Sequence, residues 1–156
     1  MVEIREALIP DELPAVRELF REYEASLNVD LCFQGFEEEL ATLPGKYNRP
    51  NGGIWLAVDG DRIAGCIALR PLDAERAEMK RLFVRPSFRG SGSGRKLAEQ
   101  VLTEAAAAGY LSVCLDTLPT MTGAIALYRS LGFVEIEPYY SNPVKGALFM
   151  ERLVDD

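Results

Sequence analysis

The chain has no histidine among its 156 residues. That absence removes Ser-His-Asp and Cys-His catalysis and every histidine-ligated metal site. Cysteine is scarce. Cys32, Cys66 and Cys114 are odd in number and far apart, which fits neither a disulfide framework nor a zinc site. Cys66 and Cys114 fall in apolar strand-like runs, where a buried thiol is the default. No metal is therefore expected. Long apolar runs are missing too: none approaches the ~20 residues that span a bilayer. The stretch Met1-Val2-Glu3-Ile4-Arg5-Glu6 has no basic region leading into an apolar one. These features predict no membrane association and a reducing, cytoplasmic location. Positive charge is also short. The formal net charge is −7 and the pI about 4.8. A nucleic-acid binder would carry a basic patch, so no nucleic-acid partner is expected. The acid excess serves solubility or draws a cationic partner by long-range attraction.

What is present is an ordinary globular balance, 48% apolar and 26% charged, in a length that suits one domain over residues 1–156. Val2–Leu8 alternates apolar and polar residues and predicts a strand. Pro10-Asp11-Glu12 opens a helix with Asp11 as the expected N-cap, and Leu13, Val16, Phe20, Tyr23 and Leu27 form its apolar face. Phe36–Leu43 is a second, shorter helical stretch, and Pro44–Gly53 is a loop. Ile54–Val58 and Arg62–Leu69 predict strands joined by the tight turn Asp59-Gly60-Asp61. Ala77–Val84 is a further strand, broken at Pro86. After it come a loop, a helix with the apolar face Leu97, Ala98, Val101, Leu102 and Ala105, and a stop at Gly109. Leu111–Asp116 predicts a strand, Thr122–Leu131 a helix, and Phe133–Ile136 and Ala147–Leu153 two final strands around Tyr-Tyr-Ser-Asn-Pro. The order predicts an α/β (α+β) fold, a central mixed sheet flanked by helices on both faces.

The segment Arg89-Gly90-Ser91-Gly92-Ser93-Gly94-Arg95-Lys96 follows a strand and opens a helix. Alternate glycines let the backbone approach a ligand and turn several N–H groups toward one point. The helix N-terminus adds about half a positive charge and unpaired donors. Together they predict a phosphate or pyrophosphate cradle. The Walker pattern fails, because Arg95 and Lys96 follow Gly94 where it needs Lys and Ser or Thr. The G-x-G-x-x-G spacing is not met either.

The run Leu82-Phe83-Val84-Arg85-Pro86-x-x-Arg89-Gly90-x-Gly92-x-Gly94 resembles the acetyl-CoA signature of the GNAT superfamily of N-acetyltransferases. Ala124-x-x-Leu127-Tyr128-x-x-Leu131-Gly132-Phe133 is similar to that family's later helix–turn–strand, and the resemblance extends from Val2 to Leu153. It implies the GNAT fold, with splayed central strands, and acetyl transfer from acetyl-CoA to a primary amine by direct attack in a ternary complex. It also implies that the pantetheine arm lies along Leu82, Phe83 and Val84, with pyrophosphate contacts from the N–H groups of Arg89, Gly90, Ser91, Gly92, Ser93, Gly94 and Arg95. A homodimer is a further family-level expectation.

Amide formation needs a base for the incoming ammonium and an acid for the departing thiolate. Tyr128 matches the position where the family places a tyrosine near the sulfur. As a plain core residue it would simply share a helical face with Ala124, Leu127 and Leu131. Glu78, six residues before Val84, is the candidate base, the alternative being a surface ion pair with Lys80, Arg81 or Arg76. Asp116, at a strand end, is the second choice, the alternative being a cap on Thr117–Thr120. Arg70, Tyr139, Tyr140 and Asn142 are candidates for acceptor recognition, with Arg70 the partner for a carboxylate if the acceptor carries one. The acceptor class expected is a small soluble amine. Transfer of a longer acyl chain, transfer to a hydroxyl, a CoA-binding sensor without turnover and a protein-modifying subunit are the rival readings.

Overall fold

The computed structural model describes residues 2–28, 31 and 35–154; Cys32 lies outside them. The strands are β1 (Glu3–Glu6), β2 (Gly53–Asp59), β3 (Arg62–Pro71), β4 (Arg76–Val84), β5 (Ser112–Thr117), β6 (Val134–Ile136) and β7 (Leu148–Leu153). The helices are α1 (Leu13–Leu27), α2 (Phe36–Thr42), α3 (Ser93–Ala107) and α4 (Thr122–Ser130). The strands form one mixed sheet in the order β1-β2-β3-β4-β5-β7-β6. β4 and β5 are its parallel pair, and the other neighbours run antiparallel.

Each face of the sheet carries its own core. Leu97, Ala98, Val101 and Ala105 of α3 meet Ile67, Met79, Val113 and Met150 on one face, joined by Tyr128 of α4. On the other face Val16, Leu19 and Phe20 of α1 and Phe36 and Leu40 of α2 meet Ile54, Leu56, Cys66 and Ala68. Helix periodicity in the sequence thus becomes two apolar stripes on opposite sides of a central sheet. No helix among the described residues is long and apolar enough to cross a membrane.

The start of α1 differs from expectation. Glu12, not Asp11, holds the N-cap position, and no side chain caps the helix. The Glu12 carboxylate turns back instead, accepting the Leu8 N–H at 2.8 Å and two bonds from Arg5 at 2.8 Å. It thereby joins the end of β1 to the helix start.

The central strand β4 carries a bulge. Cys66 pairs with Phe83 and Ala68 with Lys80, so two steps on β3 oppose three on β4. Arg81 absorbs the extra residue in the left-handed region, at φ 63°. Nearby, Gly65 faces Val84 across the ladder, and a Cβ there would overlap the Phe83 carbonyl. Gly65→Ala is expected to lower stability by about 1–3 kcal/mol through overpacking, read as the shift of the urea midpoint. An unshifted midpoint would show that β3 and β4 can separate freely.

Candidate active site

The geometry of the site starts where two strands part. β4 and β5 pair at Arg76–Ser112, Ala77–Val113 and Glu78–Cys114, and no further. Both strands continue, β4 to Val84 and β5 to Thr117. Beyond Glu78 a V therefore opens in the middle of the sheet and joins its two faces. The bulge sets what each face receives. Ala77 and Met79 point to the α3 core, and so do Leu82 and Val84 after the bulge. Phe83 packs on the α1–α2 side. Unbroken alternation carried from Met79 through Arg81 would instead send Leu82 and Val84 to the other side, because strand side chains alternate with period two.

On the α3 side a groove is lined by Leu82, Phe83, Val84, Arg89, Gly90, Gly92, Ser93 and Gly94, with Thr122, Gly123, Ala124 and Leu127 of α4 opposite. All the residues assigned from sequence to the cofactor thus meet here, apart from Ser91 and Arg95. Ser91 lies in a neighbouring hollow with Val2 and Lys96, and its hydroxyl donates to the Phe88 carbonyl at 2.6 Å. The Arg95 guanidinium donates to the Ser130 hydroxyl. Gly90 and Gly92 have φ of 85° and 82°, and Gly92 is the N-cap of α3 with no side chain capping it. The Arg89 and Ser91 N–H groups are consumed by turns, each donating to a carbonyl at 3.3 Å. That corrects the expectation that every N–H from Arg89 to Arg95 faces a ligand. Those of Gly90, Gly92, Ser93, Gly94 and Arg95 have no acceptor among the described residues. Five unpaired donors clustered at a helix N-terminus fit a pyrophosphate.

On the α1–α2 side lies a buried polar cluster. Glu78 is 1% exposed, so the ion pair considered for it forms with Lys80 in the interior rather than at the surface. Arg70 reaches its Oε1 with both Nε and Nη2 at 2.8 Å, and the Tyr139 hydroxyl donates to its Oε2 at 2.6 Å. Burial alone would raise the Glu78 pKa. The charges of Lys80 and Arg70, with the bonds from Tyr139 and Arg70, outweigh burial and hold it below the ordinary 4.5. Lys80 lies 3.9 Å from Glu78 and 4.0 Å from Asp116, and burial pulls its pKa below the ordinary 10.5. Asp116 accepts from the Tyr140 hydroxyl and from Asn142 Nδ2, the latter at 3.0 Å, rather than capping the loop after it. The Tyr139 and Tyr140 rings rest edge-on against Phe149, 5.1 and 5.3 Å away. They come from the long connection between β6 and β7 rather than a tight hairpin. Arg81, turned to this face by the bulge, makes two bonds to Glu39 of α2, at 2.8 and 3.0 Å.

Where the faces meet, a cavity of about 30 Å³, room for about one water, is lined by Lys80, Leu82, Asp116, Tyr128 and Asn142 among others. Tyr128 is buried, with Phe133 edge-on at 5.8 Å. Burial pushes its phenol well above the ordinary 10, so near neutral pH it is a proton donor. The buried Tyr128 phenol and the Lys80–Asp116 pair thus share one opening through the sheet, next to the groove with its free N–H groups.

A family model for the acetyltransferase (GNAT) family matches residues 13–133. The chain belongs to the GNAT acetyltransferase family. It is an acetyl-CoA-dependent N-acetyltransferase. The chain is 38% identical over 151 residues to an N-acetyltransferase of Schizosaccharomyces pombe, covering 96% of this chain and 93% of that one. Its fold is similar to the crystal structure of an acetyltransferase from Streptococcus agalactiae, with a TM-score of 0.79, 25% identity and 98% of each chain covered. It is also similar to Salmonella typhimurium YncA, solved with its cofactor acetyl-CoA, with a TM-score of 0.74 and 20% identity over 99% of this chain and 95% of that one. The seven-stranded mixed sheet with four helices is the GNAT fold. Among the described residues no group of three or more metal-ligating side chains is placed to hold an ion.

Sequence reasoning missed the buried charges of this acetyltransferase. Lys80 and Arg81 entered only as surface partners for Glu78, and Glu39 did not enter at all. The signal was available: a strand with neighbours on both sides cannot send Glu78, Lys80 and Arg81 all to water, and charges are seldom buried unpaired.

Proposed function

We propose that this GNAT enzyme transfers the acetyl group of acetyl-CoA to a small primary amine by direct attack in a ternary complex, within a single catalytic domain. The observation that carries this reading is the V between β4 and β5, which connects the glycine-loop groove to the polar cluster. It supports the donor entering from the α3 side and the acceptor from the α1–α2 side. The free N–H groups of the Gly90–Arg95 loop would hold the pyrophosphate, and Leu82, Phe83 and Val84 would line the pantetheine arm. Bond formation between the amine nitrogen and the thioester carbon releases a thiolate, and Tyr128 is the buried hydroxyl available to protonate it. Cys66 and Cys114, both free and buried, support a reducing cytoplasmic setting.

Glu78 serves the acceptor. Its depressed pKa makes it a poor store for a proton but keeps it ionised near neutral pH. It attracts the ammonium, and the proton leaves through water. The acid limb of the rate profile then belongs to the acceptor and not to Glu78, so turnover rises with pH as free amine becomes abundant. Glu78→Gln should depress turnover at low and neutral pH and recover partly at high pH, followed as thiol release from acetyl-CoA across a panel of amines. A profile unchanged by the substitution would remove Glu78 from the reaction. Turnover with proteins alone would sink the small-amine assignment, and binding of CoA without thiol release would leave a sensor.

A further inference from the structure

Lys80 stands apart from the other charges of the buried cluster. Arg70, the candidate partner for an acceptor carboxylate, instead spends Nε and Nη2 on Glu78, and Arg81 gives two bonds to Glu39. The Lys80 side chain is 4% exposed, and its Nζ lies 3.9 Å from Glu78 Oε2 and 4.0 Å from Asp116 Oδ1. Those distances hold the charge but are too long for hydrogen bonds. The ammonium has no hydrogen-bond partner among the described residues, and neither has the Tyr128 hydroxyl. Buried donors without a partner destabilise a fold, so such groups are retained where something else satisfies them.

Both residues wall the cavity of about 30 Å³ at the opening between β4 and β5, together with Asp116 and Asn142. The Tyr140 hydroxyl and Asn142 occupy Asp116 Oδ2, which leaves Oδ1 on the Lys80 side. An ammonium, a phenol and a carboxylate oxygen supply the two to four polar partners that one buried water needs, and the volume suits one. The cavity adjoins the cofactor groove, since Leu82 and Met121 line both. Through Lys80 it also adjoins Glu78, on the acceptor side. Burial acts in opposite senses on the two donors. It raises the Tyr128 pKa above its ordinary 10 and lowers that of Lys80 below its ordinary 10.5, so a proton handed from Lys80 toward Tyr128 runs downhill.

We propose that Lys80 is the proton source behind Tyr128, acting through one water held in this cavity, so that the proton lost by the attacking amine reaches the departing sulfur without crossing bulk solvent. The proposal rests on the reading of Tyr128 as the acid of acetyl transfer. The nitrogen–carbon bond forms, the carbon–sulfur bond breaks, and its electron pair goes to sulfur. Tyr128 protonates the sulfur while the water protonates Tyr128 and Lys80 protonates the water. The transfers occur in one step, because a buried tyrosinate is costly. Neutral Lys80 then takes the surplus proton of the cationic amide nitrogen on the Glu78 side. No outside acid or base is consumed.

The test is single-turnover thiol release at saturating amine, with Lys80→Met, Lys80→Arg, Tyr128→Phe and the Lys80→Met, Tyr128→Phe double variant. Lys80→Met keeps the unbranched stem and removes the ammonium. Lys80→Arg keeps a charge beside Glu78 and Asp116, but a guanidinium does not give up its proton. Each should lower the rate by about 10²-fold or more with the Kd of acetyl-CoA unchanged. On the Tyr128→Phe background, Lys80→Met should cost almost nothing further, because the two residues act as a unit. A wild-type rate in Lys80→Arg would mark a purely electrostatic role. The same loss from Lys80→Met on both backgrounds would mark a structural one. Either result overturns the relay and leaves acetyl transfer through Tyr128 standing. The wild type alone provides a reading that needs no variant to fold. In mixtures of light and heavy water its rate should bend below a straight line, since several protons move in one step, and a straight line overturns the proposal. Absence of thiol release with every amine would sink the transfer reading itself, and the relay with it.

Discussion

A Gly92→Val variant is expected to fold normally and to show no stabilisation by acetyl-CoA. Gly92 stands at the N-cap of α3 with φ 82°, and a side chain built on it would meet nothing within 4 Å. The added atoms would stand at the loop whose free N–H groups are proposed to hold the pyrophosphate. The left-handed backbone adds strain of about 1–2 kcal/mol for a residue with a Cβ, confined to an exposed turn. The core is untouched, since no side chain packs on this position. Acetyl-CoA at 100 times its Kd should stabilise the wild type by about 2.7 kcal/mol. In the variant the thermal shift should vanish while the far-ultraviolet circular dichroism stays native. A full shift in Gly92→Val would place the cofactor elsewhere and undo the assignment of the loop.

Tyr128→Phe should lower kcat by about 10²–10⁴-fold, the usual contribution of general acid catalysis, with little change in acetyl-CoA affinity. The ring lies in the α3-side core, edge-on to Phe133, and a phenylalanine keeps that packing. Only the hydroxyl is lost, and with it the proton donor at the opening between β4 and β5. Burial holds the Tyr128 pKa above its ordinary value, so the hydroxyl stays protonated throughout the neutral range and the deficit should not depend on pH there. Single-turnover thiol release with saturating acceptor separates this step from binding. A variant that turns over at the wild-type rate would make Tyr128 a core residue and leave water as the acid.

The cofactor half of the site was legible because its determinants are local. Gly90, Gly92 and Gly94 sit within one turn of chain, between a strand and a helix recognisable by their own periods, and the role proposed for them rests on backbone conformation alone. Tyr128 was singled out through the motif of α4, and its burial beside the opening agrees with the role proposed for it. The acceptor half was read only as loose candidates. Arg70, Glu78, Asp116, Tyr139, Tyr140 and Asn142 were each singled out, yet their pairing was not. Arg70 bonds to Glu78 across the β3–β4 ladder, where the two residues face each other in register. Tyr139 reaches Glu78 from a loop 61 residues away. Such contacts depend on register and on the path of a long connection, which no short stretch of sequence encodes.

The elements, their order, the glycine-rich loop and the absence of histidine chemistry can all be read along the chain, since each depends on residue type or on spacing within a few residues. The tertiary structure alone decided where the charges of β4 go. One extra residue at Arg81 shifts the alternation of the strand, so Glu78, Lys80 and Arg81 all turn to the α1–α2 face while Leu82 and Val84 line the groove on the α3 side. A bulge is set by the fit of a strand against its neighbours in the sheet. An alternation pattern read along one strand cannot reveal it, because the shift is visible only in what each side chain meets.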